Sequence, residues 1–298
     1  MVVVVGPTAS GKTALSIALA QHLGGEIVNT DSVALYRGLD IGSAKPSLAE
    51  RVAVPHHLID VLDPSEEANV AIFQQRARDA IDDILGRDRV PILVGGSSLY
   101  IRAVIDDLEF PGTDPEVRAR WQMRLDAEGP AALHAVLTER DPHAAAEILP
   151  TNGRRIVRAL EVIELTGQPF AATMPGYESR YRKLVMVGLS VERAALDARL
   201  DSRVEAMFEA GLVAEVESIS VWGPTAERAL GYQQVLAYLA GELTEAQAHE
   251  ATKRVHRKFA RRQERMFRQD PRVHWLPYDA ADLVKQAIVL VEPPSPAR

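Results

Sequence analysis

The first 23 residues constrain the fold of this chain more than any other segment. Val2 to Val5 form a continuous β-branched run, which is typical of a strand buried on both faces. Residues 6–13, GPTASGKT, match the phosphate-loop pattern G-x-x-x-x-G-K-[ST] in full. Thr13 to Leu23 then has helical spacing of apolar residues. Because the motif lies between a predicted strand and a predicted helix, we predict a phosphate site there; a glycine-rich turn without a ligand is the alternative.

The chemistry of this loop follows from its residue types. Glycines allow backbone amides to turn toward phosphate oxygens, and the helix N-terminus adds positive potential. We expect Lys12 to reach the terminal phosphate and the Thr13 hydroxyl to ligate Mg²⁺. The loop indicates that a di- or triphosphate such as ATP binds, but not that a nucleotide is hydrolysed. The predicted phosphate-binding residues are Gly6, Pro7, Thr8, Ala9, Ser10, Gly11, Lys12 and Thr13.

The rest of the chain predicts an α/β core with an insertion. Short apolar strands at 26–28, 91–94 and 184–189 alternate with helical segments such as 76–85, which favours a parallel sheet. Residues 114–167 have helical periods and no strand, with prolines where helices would start or stop. We therefore predict a core of residues 1–110 and 183–298, mostly helical after Ala194, and a helical insertion of residues 111–182. The Pro/Ser-rich tail from Pro293 is expected to be loose.

Composition excludes several classes of protein. The chain has no cysteine, so disulfides, thiolate nucleophiles and cysteine metal sites are excluded. It has no apolar run of about 18 residues for a membrane helix, and its N-terminal apolar run is too short for a signal peptide. We expect a cytoplasmic protein without a membrane partner.

The segment after the predicted strand 91–94 argues against a nucleotide-driven motor. In such proteins a carboxylate at the end of a second buried strand holds Mg²⁺ through water. Here the strand ends in Gly95-Gly96-Ser97-Ser98, and the guanine-recognition pattern Asn-Lys-x-Asp is absent. A transferase that acts on a small diphosphorylated molecule fits better.

Asp31 is the candidate general base. It follows the strand 26–28, so it lies at the same carboxyl edge of the sheet as the phosphate loop. From there its carboxylate can accept a proton from an attacking nucleophile. A cap on the following turn or helix is the alternative.

Several blocks together resemble the tRNA dimethylallyltransferase (isopentenyl-tRNA transferase) family. The phosphate loop combined with the run Asp-Ile-Gly-Ser-Ala-Lys-Pro at 40–46 is highly specific, and the blocks extend from residue 6 beyond residue 263. The others are Asp31-Ser32, Tyr36-Arg37-Gly38-Leu39, Pro55-His56-His57-Leu58-Ile59-Asp60, Gly95 to Tyr100, Arg155 to Glu161, Leu230-Gly231-Tyr232 and Arg261-Arg262-Gln263.

The resemblance implies a P-loop NTPase-like fold and a reaction. A dimethylallyl group would move from dimethylallyl diphosphate to N6 of the adenosine 3′ of the tRNA anticodon, with the base flipped out of its stack. The loop would then hold the prenyl diphosphate, which accounts for the missing acid. Lys12, Thr13 with Mg²⁺, and an arginine would stabilise the departing diphosphate. The favoured arginine is Arg203, with Arg199 as the alternate, and Asp31 would take the N6 proton.

The resemblance also implies tRNA contacts, although the chain departs from the family pattern. Val33-Ala34 stands where Met-Gln is common, Thr151-Asn152 where Asn-Asp is common, and Met266 where Trp is common. The implied tRNA-binding residues are Asp31, Ser32, Val33, Ala34, Ser97, Arg154, Arg155, Ile156, Val157 and Arg158.

Charge is strongly segregated along the chain. The net charge is −7, which by itself argues against a nucleic-acid partner. Residues 252–272, however, carry a net +7, so the remainder carries −14. On a helix, the basic positions from 253 to 268 occupy one half, and Val255, Phe259, Met266 and Phe267 the other. We predict that the apolar half packs on the core and that the basic half binds the tRNA anticodon stem-loop through Lys253, Arg257, Lys258, Arg261 and Arg262. A salt-bridged solvent face is the alternative.

Other patterns stay open. Tyr100, Tyr232 and Gln233 either contact bases or pack. Adjacent His56 and His57 point to opposite faces of an extended segment, which disfavours a metal pair.

Two other functions stay open as alternatives. A phosphate-loop small-molecule kinase would explain the loop and Asp31 but not the basic segment, and a non-enzymatic RNA-binding module would explain only the basic segment. We expect a monomer.

Overall fold

A computed structural model describes residues 1–171 and 176–292 of the chain, so the tail from Pro293 lies outside the described residues. The chain forms two compact units, one made of Met1–Asp107 with Tyr177–Arg298 and the other of Leu108–Gly176. The second boundary precedes the predicted one at residue 182. The physical reason is that Ser179 bridges Asp106 and the Arg180 amide donates to the Ile105 carbonyl at 2.9 Å, which ties residues 179–180 to the core.

The core unit is built on a six-stranded, all-parallel sheet. Val3 and Val5 of the first strand face one apolar cluster, while Val2 and Val4 face another on the opposite side, so this strand is buried on both faces as predicted. The strand order is β3-β2-β4-β1-β5-β6. The strands are β1 (Val2–Val5), β2 (Glu26–Asn29), β3 (His56–His57), β4 (Pro91–Val94), β5 (Val185–Ser190) and β6 (Val273–Pro277).

Helices cover both faces of the sheet. The predicted helix at 76–85 begins earlier, at Val70, because the Asn69 side chain accepts from the Ala71 and Ile72 amides and caps it. Before the second unit the helices are α1 (Lys12–Leu23), α2 (Leu48–Ala53), α3 (Val70–Gly86) and α4 (Ser98–Ile105).

The second unit is helical, as the proline spacing predicts. Proline occupies the first turn of three of its helices, and its buried cluster includes Leu133, Leu137, Ile156 and Leu160. The helices are α5 (Pro115–Glu128), α6 (Pro130–Arg140), α7 (Pro142–Glu147) and α8 (Gly153–Thr166).

The remaining core helices follow β5, and two of them form one side of the site described below. Helices α9 and α12 pack against each other. The helices are α9 (Arg193–Glu209), α10 (Leu212–Glu217), α11 (Tyr232–Leu239), α12 (Glu245–Arg268) and α13 (Leu283–Val291). Among residues 1–171 and 176–292, no helix is both long and apolar enough to cross a membrane.

Candidate active site

The phosphate loop joins β1 to α1 in the geometry that its sequence predicts. Gly6 has φ 140°, and a methyl group there would lie 2.9 Å from the Leu189 carbonyl oxygen, so only glycine fits. Gly11 has φ 96° and starts α1 without a side-chain cap. No side chain within residues 1–171 and 176–292 caps this helix, so the first amides of α1 can donate to an anion at the helix N-terminus.

Lys12 brings positive charge into this loop. Its ammonium group donates to the Pro7 carbonyl at 2.7 Å. Burial, followed by the nearby positive charge of Arg203, lowers the pKa of Lys12 to about 7, while Asp31 acts in the opposite direction. Two cations therefore share this region with one carboxylate, and an anionic ligand would relieve their repulsion.

Asp31 follows β2 and faces both cations. Its Oδ1 accepts from the Val33 amide at 2.9 Å, and its own amide donates to Asn29 Oδ1 at 2.9 Å. One carboxylate oxygen, Oδ1, therefore caps the turn, as the alternative interpretation of Asp31 predicts. Among the described residues Oδ2 has no hydrogen-bond partner, so it is available to a substrate.

Arg203 and Arg199 project from one face of α9 and have different partners. The charge of Asp31 acts on Arg203, although burial lowers the pKa of Arg203 overall. Arg203 Nε is buried and has no hydrogen-bond partner among the described residues. Arg199 instead donates to the Ala9 carbonyl at 2.8 Å and stacks on Tyr278. Arg203 is the arginine that shares an electrostatic environment with Asp31 and Lys12, whereas Arg199 supports the loop.

Gln263 was missed as a site residue. It is buried on α12, its Oε1 accepts from the Thr8 amide at 2.8 Å, and its Nε2 donates to the Gly96 carbonyl at 3.0 Å. It therefore joins α12 to the phosphate loop and to the loop after β4. The only sequence signal was its position inside the Arg-Arg-Gln block.

The oxygen donors of the loop fit a magnesium ion shared with a bound diphosphate. Thr13 lies in the first turn of α1, and the buried hydroxyl of Ser10 has no partner within residues 1–171 and 176–292. The same residues contain no group of three or more His, Cys, Asp and Glu side chains that could hold a metal ion. Because Mg²⁺ commonly binds through few protein oxygens plus substrate phosphates, this donor set suits it.

Residues near Asp31 differ in their access to RNA. Ser32 and Val33 are partly exposed, but Ala34 is buried, so its side chain is covered in this structure and its role in tRNA binding stays a prediction. Ser97 caps the N-terminus of α4, where its hydroxyl accepts from the Tyr100 amide at 3.4 Å.

The basic block on α8 is only partly available to RNA. Arg154 and Arg155 are exposed. Arg158 donates to Glu161 at 2.9 Å and to the carbonyl of Pro111 at 2.6 Å, so its guanidinium already has internal partners. The side chains of Ile156 and Val157 are buried in the core of the second unit, so they pack there, and tRNA binding at these two positions stays a prediction.

Helix α12 carries two rows of basic residues with different surroundings. The inner row pairs with acids of α9: Lys253 with Glu205 at 2.5 Å, Arg257 with Asp201 at 2.9 Å and Arg261 with Asp197 at 3.2 Å. The outer row is exposed and makes no ion pair among the described residues. The outer row consists of Arg254, Lys258, Arg262 and Arg265.

The opposite face of α12 also differs from the prediction. Phe267 is buried and Val255 and Phe259 are half-buried, but Met266 is exposed, so its predicted burial is wrong. The buried stripe instead consists largely of small and polar residues, namely Ala248, Thr252, His256, Ala260, Gln263 and Phe267. A narrow stripe of this kind brings α12 close to its neighbours.

The open tyrosine and histidine positions have internal partners. Tyr232 is fully buried and donates to Glu215 at 2.7 Å, so it packs rather than contacting a base. Tyr100 lies 4.5 Å from the ring of Phe73, and Gln233 is exposed. His56 donates to a backbone carbonyl and His57 to Glu26, each at 2.7 Å.

Comparison with known proteins agrees with this geometry. A family model described as IPP transferase matches residues 34–270, and one described as isopentenyl transferase matches residues 1–59. A tRNA dimethylallyltransferase of Thermobifida fusca is 58% identical over 300 residues, which cover 98% of this chain and 94% of that protein.

Solved structures are also similar to this chain. A tRNA isopentenylpyrophosphate transferase of Bacillus halodurans has a TM-score of 0.70 at 40% identity, covering 96% of this chain and 93% of that one. A eukaryotic dimethylallyltransferase acting on tRNA has a TM-score of 0.81 at 26% identity, covering 97% of this chain and 77% of that one. The parallel sheet, the phosphate loop and these likenesses agree, and the chain belongs to the tRNA dimethylallyltransferase family, whose members are prenyltransferases with a P-loop NTPase-like fold.

Proposed function

We propose that this protein transfers a dimethylallyl group from dimethylallyl diphosphate to N6 of the adenosine on the 3′ side of the anticodon in tRNA, with release of diphosphate. One observation carries the proposal. Lys12 and Arg203 share a region with a single carboxylate, Asp31, beside the N-terminus of α1. This arrangement suits a strongly anionic group next to a proton acceptor, and a diphosphate ester with an incoming amine supplies both partners.

The diphosphate end of the reaction involves the loop. The amides at the start of α1 and the Lys12 ammonium hold the phosphate oxygens, and the guanidinium of Arg203 stabilises the negative charge that develops as the allylic C–O bond breaks. Mg²⁺, when bound at Thr13, supplies further positive charge to the leaving diphosphate. The electron pair of the broken bond stays with the diphosphate.

The acceptor end of the reaction involves Asp31. The N6 lone pair of the flipped adenine forms the new C–N bond to the allylic carbon. The nitrogen becomes more acidic as this bond forms, and its proton passes to Asp31 Oδ2, the oxygen without a partner in the turn. Because the turn fixes Oδ1, the carboxylate is oriented before substrate binds.

The choice of a prenyl donor over ATP is supported by the end of β4. Val94 is followed by Gly95-Gly96-Ser97 rather than by an acid that would hold Mg²⁺ through water. Nucleotide binding by the loop, a monomeric state and a cytoplasmic location stay predictions.

The test uses purified protein and unmodified tRNA with one of two labelled donors, dimethylallyl diphosphate labelled in the prenyl group or ATP labelled in the γ-phosphate. We expect label in tRNA only from the prenyl donor, and none when the adenosine next to the anticodon is replaced by guanosine. Transfer from ATP alone, or no transfer, would overturn the proposal.

A further inference from the structure

Three buried polar groups beside the phosphate site have no hydrogen-bond partner among the described residues. His256 on α12 is only 5% exposed, and neither of its ring nitrogens has a partner. The hydroxyl of Thr252, one turn earlier and fully buried, has none either. The third is Arg203 Nε, on the neighbouring helix α9. Buried polar groups of this kind are nearly always paired, so together they point to a hydrogen-bonding site in this part of the core.

Thr252 and His256 lie close to each other, and Arg203 is at the same level of the neighbouring helix. Asp201 and Glu205, on either side of Arg203 on α9, pair with Arg257 and Lys253, on either side of His256 on α12. A methyl group added at Gly231 would lie 3.8 Å from both His256 Nε2 and Thr252 Cγ2, which places these side chains on one face of α12. Burial, followed by the positive charge of Arg203, lowers the pKa of His256 to about 4. The imidazole is therefore neutral at physiological pH, with one donor and one acceptor nitrogen, and Arg203 is near enough for its charge to act on the ring.

We infer that His256 is a positioning residue for Arg203: through a bound water, its acceptor nitrogen takes the hydrogen bond of Arg203 Nε–H and fixes the guanidinium toward the leaving diphosphate. A water suits this place because it can accept from Nε–H, donate to the imidazole and contact the Thr252 hydroxyl at once. The inference rests on the proposed function, since it assigns Arg203 to the diphosphate.

This arrangement has a chemical advantage in a site that already holds two cations. A carboxylate beside Nε would neutralise Arg203 and weaken its attraction for diphosphate. A neutral imidazole accepts the hydrogen bond without removing the positive charge, and it leaves the terminal nitrogens of the guanidinium for phosphate oxygens.

The test combines two substitutions in a double-mutant cycle. We expect His256→Leu to lower kcat about tenfold and to weaken the binding of inorganic diphosphate with Mg²⁺, with KM for tRNA unchanged. In an Arg203→Gln background, His256→Leu should have no further effect, because the two residues act as one unit. His256→Gln, which keeps an acceptor, should restore most of kcat.

The matched control is His249, on the same helix. It contacts Glu205 at 3.2 Å and stacks on Phe208 rather than approaching Arg203, so His249→Leu should leave kcat unchanged. Independent, multiplicative effects of His256→Leu and Arg203→Gln, or a kcat of His256→Leu equal to that of the wild type, would overturn the inference. If His256→Leu lowers the melting temperature severely, the cycle is run with His256→Phe, which keeps an aromatic ring but has no acceptor. Absence of prenyl transfer by the wild type would overturn the proposed function alone, because the effect of His256→Leu on the binding of inorganic diphosphate can still be measured.

Discussion

The two basic rows of α12 make a charge-matched prediction about tRNA binding. Replacing three outer-row residues by glutamine, as in R254Q/K258Q/R262Q, removes three positive charges that face solvent. Replacing the inner row, as in K253Q/R257Q/R261Q, removes the same charge from residues that already pair with α9 acids at 2.5–3.2 Å. Net charge changes equally in both triple variants, so any difference between them reports on position.

The expected size of the effect follows from counterion release. Each phosphate contact contributes about 0.7–0.9 to the slope of log K against log salt concentration, so loss of three outer-row contacts should make the slope shallower by roughly 2 to 3. The inner-row triple should change the slope by less than about 1, because its cations are already neutralised. It should instead lower the free energy of unfolding by about 1 kcal/mol, as expected for solvent-screened ion pairs.

The measurement is tRNA affinity by filter binding from 50 to 200 mM salt, together with thermal denaturation of each variant. Equal changes of slope in the two triples would refute the assignment of the outer row to RNA. A steeper loss for the inner row would mean that tRNA displaces the α9 acids when it binds.

Three further predictions concern the catalytic site and the sheet. Asp31→Asn keeps the turn acceptor but removes the base, so kcat should fall at least about a hundredfold while tRNA affinity is retained; loss of affinity would make Asp31 an RNA-positioning residue. Gln263→Ala should raise KM for the prenyl donor and lower the free energy of unfolding by about 2 kcal/mol, because the Thr8 amide loses its partner; an unchanged KM would contradict its role at the loop. Hydrogen bonds from Arg87 lower the pKa of buried Glu26 to about 2 from its usual value of 4.5. The resulting stabilisation is present above pH 5 and is lost as pH falls toward 2, so the difference in melting temperature between Glu26→Gln and the wild type should shrink from pH 7 to pH 3.

Local sequence patterns were sufficient for the parts of the fold that local forces determine. The valine run of β1, the glycines of the loop and the prolines that begin α5, α6 and α7 each specify a backbone conformation within a few residues. The strands β3 and β6 were missed. β3 has only two residues, and β6 (VHWLP) lacks a clear alternating pattern, so both are strands only because a neighbouring strand pairs with them.

Only the site residues that belong to a sequence motif could be predicted. The phosphate loop and Asp31 are motif residues, and their neighbourhood follows from the rule that parallel strands present their carboxyl ends at one edge. Gln263 and His256 lie some 250 residues further along the chain, and only the packing of α12 brings them to the loop or to Arg203. Helical spacing could separate basic from apolar positions on α12, but it could not show which basic positions face the acids of α9.

The difference between the inner and outer rows of α12 shows which basic residues of this acidic chain, with its net charge of −7, can attract RNA. The inner row does not add to the surface potential that attracts RNA, because Asp197, Asp201 and Glu205 neutralise it. Its ion pairs instead hold α9, the helix of Arg203, against α12, the helix of Gln263. Four outer-row cations then remain for phosphates of the tRNA. The basic segment therefore has two separate roles, alignment of the catalytic helices and attraction of RNA. Counting all of its positive charges overestimates the surface potential that attracts RNA.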